Sequence, residues 1–150
     1  MYTARTAGLV FLFTLVGAGC GADRERFKGD LVPVSGVVKL DDKPLDHATV
    51  TFAPTGQTKG FGASGKTDAN GNYSLTTPSG NPGVLPGEYK VSISKVVDAK
   101  SGAVVETGSI GRPGAGGTKQ SVPVKYSDAA TTELKKTVPP GGGKIDFTLK

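Results

Sequence analysis

Residues 88 to 94 read Glu88-Tyr89-Lys90-Val91-Ser92-Ile93-Ser94, and the large apolar side chains Tyr89, Val91 and Ile93 alternate strictly with polar ones. Successive side chains on a strand point to opposite faces, so the alternation sorts these residues into one buried and one wet face. A helical period would scatter them. The same period of two recurs on both sides of this segment. Val34, Gly36, Val38 and Leu40 share one parity, with Ser35 and Lys39 on the other. In His47-Ala48-Thr49-Val50-Thr51-Phe52, the apolar set is Ala48, Val50 and Phe52. At the C-terminus Ile145, Phe147 and Leu149 face away from Lys144, Asp146, Thr148 and Lys150.

Turn chemistry separates these runs. Asp41-Asp42-Lys43-Pro44 and Leu85-Pro86-Gly87 punctuate the chain, and Asn70-Gly71, between Lys66-Thr67-Asp68 and Tyr73-Ser74-Leu75, supplies the positive φ angles of a tight hairpin. With 23 glycines, 10 prolines and no tryptophan, little of the chain favours helix. About six or seven short strands, each with one buried face, predict an all-β fold, an antiparallel two-sheet β-sandwich. Pro33 and Pro123 are expected at edges, because proline cannot donate to a central ladder. Val122 to Tyr126 is expected to re-enter the sheet. Between them residues 98–121, rich in glycine and poor in large apolar side chains, read as one long loop, either functional or disordered.

The N-terminus carries a different signal. Residues 7 to 20, AGLVFLFTLVGAGC, are an apolar run behind the single charge of Arg5, and the run ends on the only cysteine. A charged start, an apolar stretch and small residues before a cut site describe a secretory signal peptide over residues 1–19, a helix removed from the mature protein. Ala7 to Ala22 falls short of the roughly 20 residues that a membrane-spanning helix needs. Residues 20–32 then read as a polar tether with a reach of about 20 Å, and 33–150 as a single domain. Cleavage after Ala22 remains the alternative, and it would discard the cysteine.

Two resemblances follow from these residues. Ala18-Gly19-Cys20 resembles the lipobox of bacterial lipoproteins, with Gly17 where leucine is usual. That resemblance implies cleavage between Gly19 and Cys20, a diacylglycerol on the Cys20 thiol, and a protein held in the cell envelope. Gly21, where an aspartate would retain the protein, implies outer-membrane sorting, facing the periplasm or the cell surface. Second, Val34-Ser35-Gly36-Val37-Val38, Lys43-Pro44-Leu45, Ala48-Thr49-Val50-Thr51-Phe52, Thr67-Asp68-Ala69-Asn70-Gly71-Asn72-Tyr73 and Pro86-Gly87-Glu88-Tyr89 together resemble the carboxypeptidase regulatory-like domain. That family implies a transthyretin-like or Ig-like sandwich acting as a non-enzymatic accessory in folding, adhesion or surface binding. Pro123, Lys125-Tyr126-Ser127-Asp128, Thr131-Thr132 and Leu134 resemble the C-terminal half of small bacterial lipoproteins built on this domain.

The composition argues against catalysis and cofactors. His47 is the single histidine, which excludes multi-histidine zinc sites and the two-histidine iron triad by count. Asp46 adjoins it, but neighbours on a strand point to opposite faces, and no G-x-S-x-G elbow presents a serine. A hydrolase centred on His47 is thus a remote alternative. Asp68, Asn70 and Asn72 start a calcium-loop pattern that fails at Tyr73, where glycine is required, and at Ser79, where glutamate is. Gly60 to Thr67 satisfies the phosphate-loop spacing, but no helix is expected after it. No catalytic, cofactor or metal residue is therefore assigned.

Of 18 basic residues only Arg5 precedes Cys20, leaving 17 positive against 13 negative side chains. They are scattered without interleaved aromatics, which excludes a nucleic-acid platform. The expected partner is the membrane, through a lipidated Cys20. Envelope proteins, a peptide or a glycan are the further candidates, and a secreted or periplasmic carbohydrate- or peptide-binding module is the competing reading.

Overall fold

A computed structural model describes residues 31–58, 60–105 and 117–150. The apolar run, Gly19, Cys20 and the tether as far as Asp30 lie outside the described residues, as does the centre of the glycine-rich segment. In chain order come β1 (Val34–Leu40), β2 (Lys43–Pro44), β3 (Thr49–Pro54), β4 (Ala63–Lys66), β5 (Asn72–Ser74), β6 (Gly87–Ser94), β7 (Val96–Asp98), β8 (Thr118–Gln120), α1 (Val124–Ser127), β9 (Lys135–Val138), β10 (Gly143–Lys144) and β11 (Phe147–Leu149).

Strands β3 and β6 make the centre of one sheet, with Val50 opposite Ile93 and Phe52 opposite Val91. Strand β4 extends it beyond β3 and β9 beyond β6, all antiparallel. The second sheet is built on β1. On one side β5 and β2 pair with it antiparallel, and on the other β10 and β11 run parallel to it. The all-β sandwich is therefore as the alternation predicts, while the C-terminal pairings make its second sheet mixed.

The period of two is realised residue by residue. Tyr89, Val91 and Ile93 are buried and Lys90, Ser92 and Ser94 only half-buried; in β1, Val34, Gly36 and Val38 point inward. A file of aromatic rings crosses the core. Tyr89 meets Phe52 at 5.7 Å, Phe52 meets Phe147 at 6.2 Å edge-on, and Phe147 meets Tyr73 at 6.2 Å. Such contacts add about 0.5–1.5 kcal/mol each beyond burial of the rings, and the middle one joins the two sheets.

The chain enters at one end of the sandwich, where the backbone groups of Val32 and Val84 bond each other at 2.9 and 3.0 Å. We call this end basal. Val32 is thus already part of the fold, so the tether stops before it. At the opposite, distal end, Val38 N–H donates to the Gly71 carbonyl and His47 N–H to that of Thr67.

The structure departs from the sequence reading in four local places. His47 does not begin a strand: it adopts φ 51° in the bend before β3, because Thr67 Oγ1 accepts the Ala48 N–H and Thr67 O the His47 N–H. The Asn70-Gly71 turn is wider than a two-residue hairpin. Only Gly71 takes positive φ, 77°, and Asp68 Oδ1 accepts the N–H groups of Asn70 and Asn72 at 2.8 and 2.9 Å. The strands it joins part into different sheets, β4 to β3 and β5 to β1. Val124–Ser127 is a single helical turn rather than a sheet strand, started by Pro123 at φ −52°, an angle already suited to helix. Pro123 is accordingly a cap, not an edge residue. Finally, the expected loop 98–121 is narrower. Val97 is buried and β7 pairs with β8, while Asp98 Oδ1 accepts from Lys100 N, Ser101 N and Ser101 Oγ to turn the chain.

Tyr73 secures the C-terminus. Its hydroxyl donates to the Ile145 carbonyl at 2.7 Å, and burial, aided by the Asp146 charge, drives its pKa far above the ordinary value of 10.0. Tyr73→Phe should lower stability by about 1 kcal/mol, the net worth of a typical hydrogen bond, measured as a drop in thermal midpoint. An unchanged midpoint would show that this bond does not hold the C-terminus.

Candidate functional site

Each motif residue of the family resemblance acts on the fold. Thr67, 3% exposed, closes the start of β3. Asp68 organises the turn, and Asn72 Nδ2 returns to its carboxylate at 3.0 and 3.2 Å. These amide donors hold the Asp68 carboxyl below its ordinary value, first through Asn72. They occupy the oxygens that the calcium pattern would offer to a metal. Tyr89, in the Pro-Gly-x-Tyr segment, donates its hydroxyl to Leu85 O at 2.8 Å, four residues upstream. That is the logic of a tyrosine corner.

The literal phosphate-loop match is resolved by its surroundings. Ala63–Lys66 is an antiparallel strand paired to β3, and the chain beyond it enters the Asp68 turn. Among the described residues no helix directly follows these glycines, so the helix N-terminus that a phosphate loop requires is not formed there.

One polar cluster remains, at the distal end. The positive φ of His47 swings its ring toward its neighbour, and Nδ1 lies 3.0 Å from Asp46 Oδ2. The two side chains that strand geometry would separate therefore meet, contrary to the sequence reading. Lys95 Nζ approaches the other carboxylate oxygen at 2.6 Å, and only 13% of that lysine side chain is exposed. The Lys95 contact first, and then His47, hold the Asp46 carboxyl well below its ordinary 3.8, at about 2. Lys95 escaped the sequence reading because it stands forty-nine positions away, with no local pattern linking the two.

His47 also lines a cleft with Thr49, Lys66, Ser94, Val96, Val104 and Val105, of about 120 Å³. Small-ligand pockets start at roughly 300 Å³, so the cleft is small. Among the described residues no hydrogen bond joins the His47 ring to the hydroxyl of Ser94 or Thr49. The carboxylate orients the imidazole. Among the described residues no group of three His, Cys, Asp or Glu side chains gathers as metal ligands, and no helix is long and apolar enough to cross a membrane. Cys20 and Gly19, the residues on which the lipobox rests, lie outside the described residues.

No known family's model matches this chain, and no curated protein matches it. Among solved structures, a 9R-lipoxygenase from Cyanothece PCC8801 is similar over 81% of this chain, with 18% identity and a TM-score of 0.33. The aligned part is 16% of that enzyme's length, and nothing about this protein follows from so slight a likeness. The class defined by the coordinates is an all-β two-sheet sandwich.

The Asp46 pair has a pH signature. A carboxyl depressed in the folded state contributes stability above its ordinary value of 3.8, and that contribution disappears as pH falls through about 2. Lys95→Gln should therefore raise the Asp46 pKa toward the ordinary value in a carboxyl NMR titration. Its melting-temperature deficit relative to wild type should shrink between pH 4 and pH 2. A deficit constant across that range would show that Lys95 acts by packing alone.

Proposed function

We propose that the protein is a lipid-anchored lipoprotein of the bacterial cell envelope, a non-enzymatic β-sandwich module of carboxypeptidase regulatory-like type that serves binding or envelope structure. The observation that carries this reading is the apolar run that ends on the sole cysteine, Cys20, eleven residues before the described sandwich begins at Leu31. Cleavage before Cys20 leaves the thiol at the new N-terminus, where a diacylglycerol holds the domain close to the bilayer. Outer-membrane sorting through Gly21 belongs to the same reading.

The chemistry of the domain is consistent with attachment rather than turnover. Thr67, Asp68, Asn72, Tyr73 and Tyr89 are all engaged in backbone or turn bonds, and among the described residues the oriented His47 ring is hydrogen-bonded to no hydroxyl. These five belong to segments 67–73 and 86–89, two of those on which the resemblance to the regulatory-like family rests. A sandwich so fixed offers surfaces and edges rather than a reaction centre.

Expression of the full chain in a bacterium fed radiolabelled palmitate tests the anchor. Wild type should carry label and sediment with membranes, and Cys20→Ala should carry none. Label on both forms, or on neither, would overturn the proposal.

A further inference from the structure

We infer that the basal end of the sandwich is a bilayer-contacting surface, with Phe61 as the side chain that enters the lipid interface. The inference rests on the lipid anchor proposed above and names the surface through which the anchored domain meets its membrane. Its first support is placement. Phe61 lies on the loop between β3 and β4, and a Cβ on Gly60 would stand 2.5 Å from Leu85 Cδ1, so this loop touches the one that carries Leu85. Leu85 follows Val84, whose backbone bonds Val32, the residue by which the chain enters. Phe61 and Val32, at the start of the described chain, therefore share one end of the molecule.

Exposure is the second support. Phe61 is 61% exposed, and among the described residues Val124 is its one companion as a large exposed apolar side chain, at 66%. Val124 lies toward the other end: Ser121 N–H bonds Lys95 O, and Tyr126 Oη bonds the carbonyl of the last residue.

The third support is charge. Residues 53–58, 60–65, 75–87 and 137–143, which make the basal loops and adjoining strand ends, contain no Asp, Glu, Lys, Arg or His. The adjoining charges are Asp30 and Lys59, both outside the described residues, the second in the Phe61 loop, and Glu88, whose carboxylate lies against Gly56, and Lys144. The distal end instead carries Asp41, Asp42, Lys43, Asp46, Lys66, Asp68, Lys95 and Lys150. Charged groups resist transfer from water toward hydrocarbon, whereas aromatic rings are favoured at the interface. An end whose charges are few and whose described loop residues are uncharged, bearing one exposed ring, fits a headgroup layer.

Tether length makes the contact effective. Eleven residue steps from Cys20 to Leu31 span at most roughly 40 Å even when fully extended. Held so close, the basal loops meet the bilayer at high effective concentration, and a weak contact is enough to orient the domain.

The chain has no tryptophan, so a single introduced one reports on its own surroundings. The full-length lipoprotein carrying Phe61→Trp, Ser79→Trp on a second basal loop, or Val124→Trp is reconstituted into phosphatidylethanolamine and phosphatidylglycerol vesicles containing brominated lipid. Vesicle flotation and acyl analysis of Cys20 are run on the same samples. The expected result is blue-shifted emission for Phe61→Trp and a bromolipid-to-acrylamide quenching ratio several-fold above that of Val124→Trp, with Ser79→Trp between them. Equal ratios at all three positions on an acylated, floating protein would overturn this inference alone. An unacylated protein that does not float would overturn the anchor and this inference with it.

Discussion

The bond from the Tyr73 hydroxyl to the Ile145 carbonyl is the constraint on which the rest of the sandwich depends. Among the described residues the second sheet holds together through strand β1, and its partners come from far apart in the chain: β5 on one side, β10 and β11 on the other. Parallel strands cannot be joined by a hairpin, so the C-terminus must return across the whole molecule before it can lie beside β1. Three groups fix it there. Tyr73 reaches over Gly36 to Ile145 O, Ile145 N–H bonds Ser35 O at 2.8 Å, and Asp146 Oδ1 accepts the Val37 N–H at 2.8 Å. Gly36 is required by this arrangement, since a Cβ would stand 1.9 Å from Ile145 O and 2.9 Å from the Tyr73 ring. Once docked, Phe147 completes the file of rings between the sheets.

How much of this was legible follows from the range of each signal. Alternation is local, and it identified β1, β6 and the strand ending in Phe147 and Leu149 with the correct faces inward. Tyr73 and Gly36 were visible as motif residues, but their shared dependence on Ile145 spans more than seventy positions and leaves no periodic trace. The direction of the C-terminal strand was illegible for the same reason, because a buried face reads alike in parallel and antiparallel pairs. Val124–Ser127 misled because a valine, an aromatic and a flanking proline suit an edge strand as well as a single helical turn. His47 misled because the hydroxyl that bends its backbone belongs to Thr67, twenty residues later. The candidate site was less legible than the fold: the Asp46–Lys95 pair and the cleft beside His47 exist only once β6 lies against β3.

The functional account follows from what the side chains are already doing. Of the residues that carry the resemblance, Thr67, Asp68, Asn72, Tyr73 and Tyr89 hold turns, a strand start and the C-terminal strand. The described residues of the basal loops carry no charge, and a group of charged side chains gathers at the distal end. In this account the sandwich is a rigid body with a basal end suited to a membrane and a distal end that presents charged loops away from it. In the proposed reading the reactive chemistry lies in Cys20, ahead of the fold, and attachment would decide which surface the domain offers to partners.

The account therefore stands on the state of one thiol. Mass spectrometry of the mature N-terminal peptide, isolated from membranes of cells making the full chain, measures it directly. The account predicts a peptide that begins at Cys20 and carries a diacylglycerol. A peptide that begins at Asp23, without lipid, would contradict it.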